Sequence, residues 1–267
     1  MSADALKAFL ARHRRLLVLS GAGCSTDSGI PDYRDAQGNW KRAPPVNFAA
    51  FMGSEAVRKR YWARSLAGWP LVQRAQPNAA HAALARLERQ GRIELLVTQN
   101  VDGLHQAAGS VRVIDLHGRI DRVRCMGCAR VSAREALQSE LLRCNPLWSG
   151  RAASAAPDGD ANLEGLAFEP FVVPACEHCG AVLKPDVVFF GESVPLERVE
   201  ESLCCLERAD ALLVVGSSLM LYSGYRFAQA AASLDMPIAA VNLGRTRADA
   251  LLTLKVCEPC AAALATL

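Results

Sequence analysis

The chain has 267 residues, 51% of them hydrophobic and 21% charged, with a formal net charge of +3. That length holds one large domain, or one with a small satellite, and allows an ample core. The charge is too small to point to nucleic acid, and no apolar run approaches the ~18 residues of a membrane-spanning helix; a soluble, cytoplasmic protein is expected.

The opening residues, with Arg12, Arg14 and Arg15, faintly resemble a transit peptide. A core strand is expected directly after them at Leu16–Leu19, so they read as the first helix of the fold. The segment "LLVLSGAGCSTDSGIPDYR" runs from Leu16 to Arg34. Gly21 and Gly23 end the strand as a nucleotide-binding turn would, but Thr26 stands where G-x-G-x-x-G needs its third glycine. The pair reads either as close backbone approach to a pyrophosphate or as ordinary strand-end packing.

Further apolar runs lie at Leu95–Thr98, Val111–Leu116, Val187–Phe190, Leu212–Val215 and Ile238–Val241. Helical patterns at His81–Gln90 and Leu221–Ser233 alternate with them. Together they predict a doubly wound, Rossmann-like parallel α/β sheet covered on both faces. In such a sheet ligands sit beyond the carboxyl ends of the strands. Polar segments fall there five times: Gly21-Ala22-Gly23, Gln99-Asn100-Val101-Asp102, His117-Gly118, Gly216-Ser217-Ser218 and Asn242-Leu243-Gly244. Each has a plain structural alternative: Asn100 and Asp102 as turn or cap residues, His117 as a satisfied strand-end histidine, the two serines as caps. At this rim a near-neutral imidazole can also take a proton from a hydroxyl. His81, which opens a helix after Pro77-Asn78, reads as structural.

Ten cysteines include three C-x-x-C pairs: Cys125/Cys128, Cys176/Cys179 and Cys257/Cys260. With no secretory signal, they read as metal or redox chemistry rather than disulfides. The first two pairs carry a glycine in or just after the turn and supply the four thiolates of a closed, tetrahedral zinc site. His178 is left out because that shell is already full. The link between the pairs is too long for a compact ribbon, and "GRAASAAPDGDANLEG" from Gly150 to Gly165 predicts a long inserted loop. The third pair lacks the glycine and runs into a terminal helix.

Taken in order, "GAGCSTDSGIPDYR", "TQNVDGLH", "DLHG", the first two cysteine pairs, "LKPDVVFFGE", "GSSL" and "VNLG" resemble the sirtuins, which are NAD-dependent protein deacylases. The resemblance covers about Leu16 to Cys260. "RYWARSLAGWP", "PDGD" and "YSGYRF" are most similar to class II, which includes a human mitochondrial member. Cys24 stands where the family usually has an aliphatic residue. The resemblance implies one catalytic domain with two lobes. The Rossmann-like large lobe takes about 1–39, 78–120 and 186–267; the small lobe takes 40–77 (helical) and 121–185 (zinc-binding). It implies a cytoplasmic location for a bacterial protein and the mitochondrial matrix for a eukaryotic one.

By the same resemblance, NAD is the co-substrate, with one structural zinc besides. Gly21, Ala22, Gly23 and Ser25 would hold NAD, with a mobile loop from Ile30 through Pro31, Asp32, Tyr33 and Arg34. Gln99, Asn100, Asp102, Gly216, Ser217, Ser218, Asn242, Gly244 and Cys260 would complete its site. Asp102 and the backbone beside Ile30 would grip nicotinamide, Tyr33 would shield the ribose C1′, and Asn100 would orient the ribose and a water. The acyl oxygen of an acyl-lysine then attacks C1′, and His117 takes a proton from the ribose hydroxyls. The 2′-oxygen would then attack the amidate carbon, and water would complete the release of lysine, nicotinamide and 2′-O-acyl-ADP-ribose.

An acyl-lysine protein would pair as an added strand with Val187, Val188, Phe189, Phe190 and Gly191, the two phenylalanines lining the acyl-lysine tunnel. Part of that run reads equally as a buried strand. Tyr61 and Arg64 have the spacing by which another sirtuin subgroup recognises acidic acyl groups, and a helical i, i+3 pair can present both to one carboxylate. The same residues match class II, which is associated with weak deacetylation, lipoyl-type and branched acyl removal, and ADP-ribosyl transfer. An ADP-ribosyltransferase or a lipoamidase using the same site is the alternative. A NAD oxidoreductase would need the full glycine fingerprint, and a zinc-ribbon nucleic-acid module a basic, aromatic face.

Overall fold

The structure, a computed structural model, describes residues 2–41, 45–149, 154–155, 157, 160–163, 166–265 and 267. The chain begins with α1 (Ser2–Arg12) and β1 (Leu16–Ser20). Next come α2 (Phe48–Gly53), α3 (Glu55–Arg74), α4 (Ala79–Arg89), β2 (Ile93–Thr98), the single turn α5 (Leu104–Ala107) and β3 (Val113–Asp115). The middle holds β4 (Gly118–Cys125), β5 (Val131–Ala133), α6 (Arg134–Cys144), β6 (Ser154–Ala155), β7 (Ala161–Asn162) and β8 (Leu183–Val187). The last part runs α7 (Leu196–Arg208), β9 (Ala211–Val215), α8 (Tyr222–Ser233), β10 (Ile238–Val241), β11 (Leu254–Val256) and α9 (Cys260–Leu264).

Six strands form one sheet in the order β11-β10-β9-β1-β2-β3, parallel throughout. Every residue of β1, β9 and β10 is buried, which explains their unbroken apolar sequences. Leu16 and Val18 face a core closed by α1, α4 and α9 through Leu6, Phe9, Leu84 and Leu264. Leu17 and Leu19 face the opposite core, where α7 and α8 contribute Val199, Leu206, Phe227 and Ala231. Helices on both faces give the expected doubly wound architecture.

A second, three-stranded sheet, β5-β4-β8, is antiparallel and has its own core, including Phe51, Trp62, Leu66, Trp69, Leu141 and Phe171. Here the Val187–Phe190 expectation is corrected. The strand is Leu183–Val187, it pairs with β4, and only Val187 of the four belongs to it. Val188 N–H still donates to His117 O, and Phe190 makes one isolated bridge to Asn47. The short edge strand β11 escaped the sequence because two of its three residues are half-exposed. Part of the Gly150–Gly165 loop expectation lies outside the described residues. Within them, β6 and β7 pair as an antiparallel hairpin.

Candidate active site

The five rim segments converge at the carboxyl ends of β1, β2, β3, β9 and β10 on one groove of about 990 Å³. That is at the top of the ~300–1,000 Å³ range of ligand sites. Gly21, Ala22, Gly23, Gln99, Asn100, His117, Gly216, Ser217, Ser218, Asn242, Gly244 and Cys260 all line it, as do Asp32, Tyr33 and Arg34. At its floor the β1 and β9 turns touch backbone to backbone, Gly23 N–H donating to Gly216 O at 2.8 Å. Gly216 has φ +64°, and a Cβ there would lie 2.2 Å from Cys24 N, so no other residue fits. A floor stripped of side chains suits close approach by a dinucleotide backbone.

The loop after Gly29 folds back over this groove. Arg34 lies 3.9 Å above the Trp40 ring and donates to Gly38 O, Asp35 accepts from the N–H groups of Gln37 and Asn39, and Lys41 pairs with Asp32. Tyr33 and Phe190 each meet Trp40 edge-on, so Trp40 joins this loop to the opposite wall. Beneath the loop, Ser25, Ile30, Pro31, Asn100 and Asp102 line a small adjoining cavity. Asp102 accepts from Ser25 Oγ (2.7 Å) and Leu104 N–H (2.9 Å). The Asn100 amide donates to Gly21 O and Ser25 Oγ, which leaves its Oδ1 as an acceptor.

His117 stands between these features. Its Nδ1 lies 2.9 Å from Gln99 O, a carbonyl that can only accept, so Nδ1 carries the proton and Nε2 holds the lone pair. Nε2 lies 2.9 Å from Ser223 Oγ. Burial pushes the imidazole pKa down to about 4, against the carbonyl contact that raises it, and Arg198 and Arg226 lower it further. His117 is therefore held neutral, with its Nε2 lone pair turned toward Ser223.

On the far wall, Phe189 packs edge-on against Phe51 (5.2 Å) and is tilted against Tyr61 (5.3 Å). Glu192 accepts from Phe189 N–H and pairs with the buried Lys184 at 3.1 Å, which fixes the turn carrying Val188, Phe189, Phe190 and Gly191 along the groove. Tyr61 and Arg64 do not converge there. Tyr61 is enclosed by Phe51, Trp62 and Phe189, and burial raises its pKa. Arg64 turns to the insertion, donating to Asp160 Oδ2 at 2.5 Å and Ala161 O at 2.9 Å. The arrangement gives a carboxylate clamp at Tyr61 and Arg64 no support.

The sulfurs of Cys125, Cys128, Cys176 and Cys179 all lie within 4.8 Å of one another, with Cys125–Cys179 at 3.4 Å and Cys128–Cys176 at 3.9 Å. A zinc tetrathiolate with ~2.3 Å bonds has sulfur–sulfur edges of ~3.8 Å, so the residues fit that ion. N–H groups of Cys128 and Gly127 point at Cys125 Sγ and bring its pKa down to about 6, favouring the ligating thiolate. Cys24, His81 and His105 also cluster. They fit a metal poorly: His81 Nδ1 accepts Asn78 N–H, so its Nε2, 3.9 Å from Cys24 Sγ, carries the proton and has no lone pair to give. This bond completes the capping box of α4. In the third pair, Cys257 is exposed and Cys260 is buried against Val241 O.

Ser223, Arg226, Trp40 and Met220 also line the groove, and sequence reasoning missed them. "YSGYRF" holds two of the four, but nothing local to it points toward His117.

A parallel Rossmann-like sheet, a rim histidine and a four-cysteine module are the parts that the resemblance to NAD-dependent deacylases implies. The Sir2 family model matches residues 21–223. The chain is 66% identical over 263 residues to an NAD-dependent protein deacetylase of Xanthomonas campestris pv. campestris (strain 8004), covering 98% of this chain and 90% of that protein. It is 47% identical to the NAD-dependent protein lipoamidase sirtuin-4, mitochondrial, of Bos taurus, covering 96% and 82% respectively. Among solved structures, a Sir2 complex with a p53 peptide and NAD+ superposes with a TM-score of 0.80 at 30% identity, covering 99% of this chain and 96% of that one. The chain belongs to the Sir2 family.

Proposed function

We propose that this chain is an NAD-dependent protein-lysine deacylase in which His117 is the base and neutral acyl groups are the preferred substrates. The observation that carries the reading is the His117 tautomer. Nδ1–H is fixed on Gln99 O, which leaves the basic Nε2, 2.9 Å from Ser223 Oγ, at the wall of the groove. Bound NAD would supply an electrophilic ribose carbon with nicotinamide as leaving group. The Gly21–Gly23 turn, Gly216, Ser217, Asn242 and Gly244 would hold its adenosine and phosphate half. Asn100 and Asp102 would grip the nicotinamide end, and Tyr33 would exclude water from between the two ends. His117 then takes a hydroxyl proton at Nε2 and returns it to the departing lysine amine.

The peptide would enter as a strand beside Val187–Gly191. The wall behind Phe189 is aromatic, built from Phe51 and Tyr61, and Arg64 is already paired. This favours acetyl or lipoyl-type chains over acidic ones. Four cysteines would hold one zinc with no open position, so its role is structural.

Incubating the protein with NAD and a panel of acyl-lysine peptides, with mass spectrometry of the products, tests the reading. Nicotinamide and acyl-ADP-ribose should appear together. His117→Ala should retain NAD binding and lose at least ~100-fold in deacylation. Turnover near the wild-type rate in that variant would sink the base assignment, and ADP-ribose found on protein side chains instead would replace deacylation with transfer.

A further inference from the structure

We infer that Ser223 is the relay through which His117 receives its proton, so that the operating unit is Ser223–His117–Gln99 O rather than the histidine alone. The inference rests on the proposed role of His117 and concerns a residue outside the set that role requires.

With Nδ1–H committed to Gln99 O, the only way Ser223 can bond to Nε2 is by donating its own hydroxyl proton, at 2.9 Å. The lone pair that would take a proton from a bound hydroxyl is therefore already engaged. Either Ser223 leaves, or the proton passes through it. Three features argue against departure. Ser223 lies in the first turn of α8, yet it makes no capping bond, and its hydroxyl has no other hydrogen bond among the described residues. Its neighbour Gly224 lies so close to Gln99 that an added Cβ would sit 2.4 Å from Gln99 Oε1. The residue supporting the far side of His117 thus also presses on the backbone beside Ser223. Finally, Leu219, fully buried in the short link before α8, has φ +55°, a costly conformation for a branched side chain that fixes how the helix enters.

Ser223 also lines the groove, so its two oxygen lone pairs can accept from a hydroxyl presented there. In the relay, the incoming O–H bond breaks as a new one forms to Ser223 Oγ. Ser223's own proton moves at the same moment to Nε2, and the original oxygen keeps the electron pair. Ser223 ends as a hydroxyl and His117 as imidazolium, balanced by the negative charge developing on the deprotonated oxygen.

The first test needs no bound NAD: 15N NMR of histidine-labelled protein. Wild type and Ser223→Thr should show a hydrogen-bonded Nε2, and Ser223→Ala should shift that resonance toward a free lone pair while the Nδ1–H signal stays. The second splits the reaction. Ser223→Ala should lower kcat for deacylation ~10- to 100-fold, with Ser223→Thr restoring part of it. The KM for NAD and exchange of labelled nicotinamide into NAD, which reports the bond broken before the base acts, should be little changed. An unshifted Nε2 in Ser223→Ala would overturn the inference. So would faster turnover, which would make Ser223 a plug, or equal losses in exchange and deacylation, which would make it structural. If the wild type releases no nicotinamide with any acyl peptide, the deacylase reading fails on its own, while the NMR result still reports whether the hydrogen bond exists.

Discussion

Replacing Arg64 with Met separates two roles for a residue whose sequence spacing admits both. In the structure its guanidinium donates to Asp160 Oδ2 at 2.5 Å and Ala161 O at 2.9 Å, which pins the insertion to α3. The side chains are 24% and 36% exposed, so solvent screens the pair and it falls short of a buried charge-assisted bond. Removing it should cost about 1–2 kcal/mol, or a fall of roughly 2–4 °C in Tm at this chain length. Asp160→Asn should cost a similar amount, and the double variant should cost clearly less than the sum, because the two residues share one interaction. A carboxylate clamp predicts something else: a loss of about ten- to a hundredfold in kcat/KM for succinyl- or glutaryl-lysine, with acetyl-lysine spared. The assay is therefore kcat/KM on acidic and neutral acyl peptides beside thermal denaturation of the same preparations. We expect both peptide classes to shift together. A loss confined to acidic peptides, with Tm unchanged, would refute the pairing argument.

Two further outcomes concern the cysteines and the histidines. One zinc per chain should be found by elemental analysis, and Cys176→Ala should lose it along with much of the stability of the small lobe, because the ion's binding energy is part of the folding energy; no zinc, or two, would break the four-ligand scheme. Burial holds His105 down at about 3 and His117 at about 4, both below the ordinary value near 6.5, so the unfolded chain binds protons first as pH falls. Stability should be full above about pH 6.5 and be lost as pH drops toward those values, at ~1.4 kcal/mol per pH unit for each histidine. Urea titrations of wild type and His117→Gln isolate one of them: the variant should lose about 1.6 kcal/mol less than wild type between pH 6.5 and 5, and parallel curves would contradict the buried neutral state of His117.

What could be read from the sequence was local. The inner strands β1, β9 and β10 were legible because they are buried on both faces, and the four zinc-type thiolates because each pair carries its own spacing. What stayed hidden depends on partners far along the chain. Arg64 gave no sign of Asp160, 96 residues away, nor Ser223 of His117, 106 residues away. Val187–Phe190 misled for another reason: its apolar run serves a buried strand end and a groove wall in succession, and composition does not mark where one becomes the other.

The incomplete glycine fingerprint has its cause in the backbone just past the first strand. In a dinucleotide-binding βαβ unit the third glycine lets the helix pack closely against the strand. Here no long helix succeeds β1. Two single 3-10 turns, Ala22–Cys24 and Thr26–Ser28, take its place, and Thr26 lies at the surface with its hydroxyl donating to Gly23 O. The packing that would demand the third glycine does not arise. The demand moves to the neighbouring strand end, where Gly216 meets Gly23 and Cys24 backbone to backbone. Shortening the helix to two turns also frees the chain beyond Gly29 to fold back along the groove, which makes Tyr33 and Arg34 part of its lining instead of placing them on a distant helix face. The missing glycine and the covering loop are therefore one structural choice.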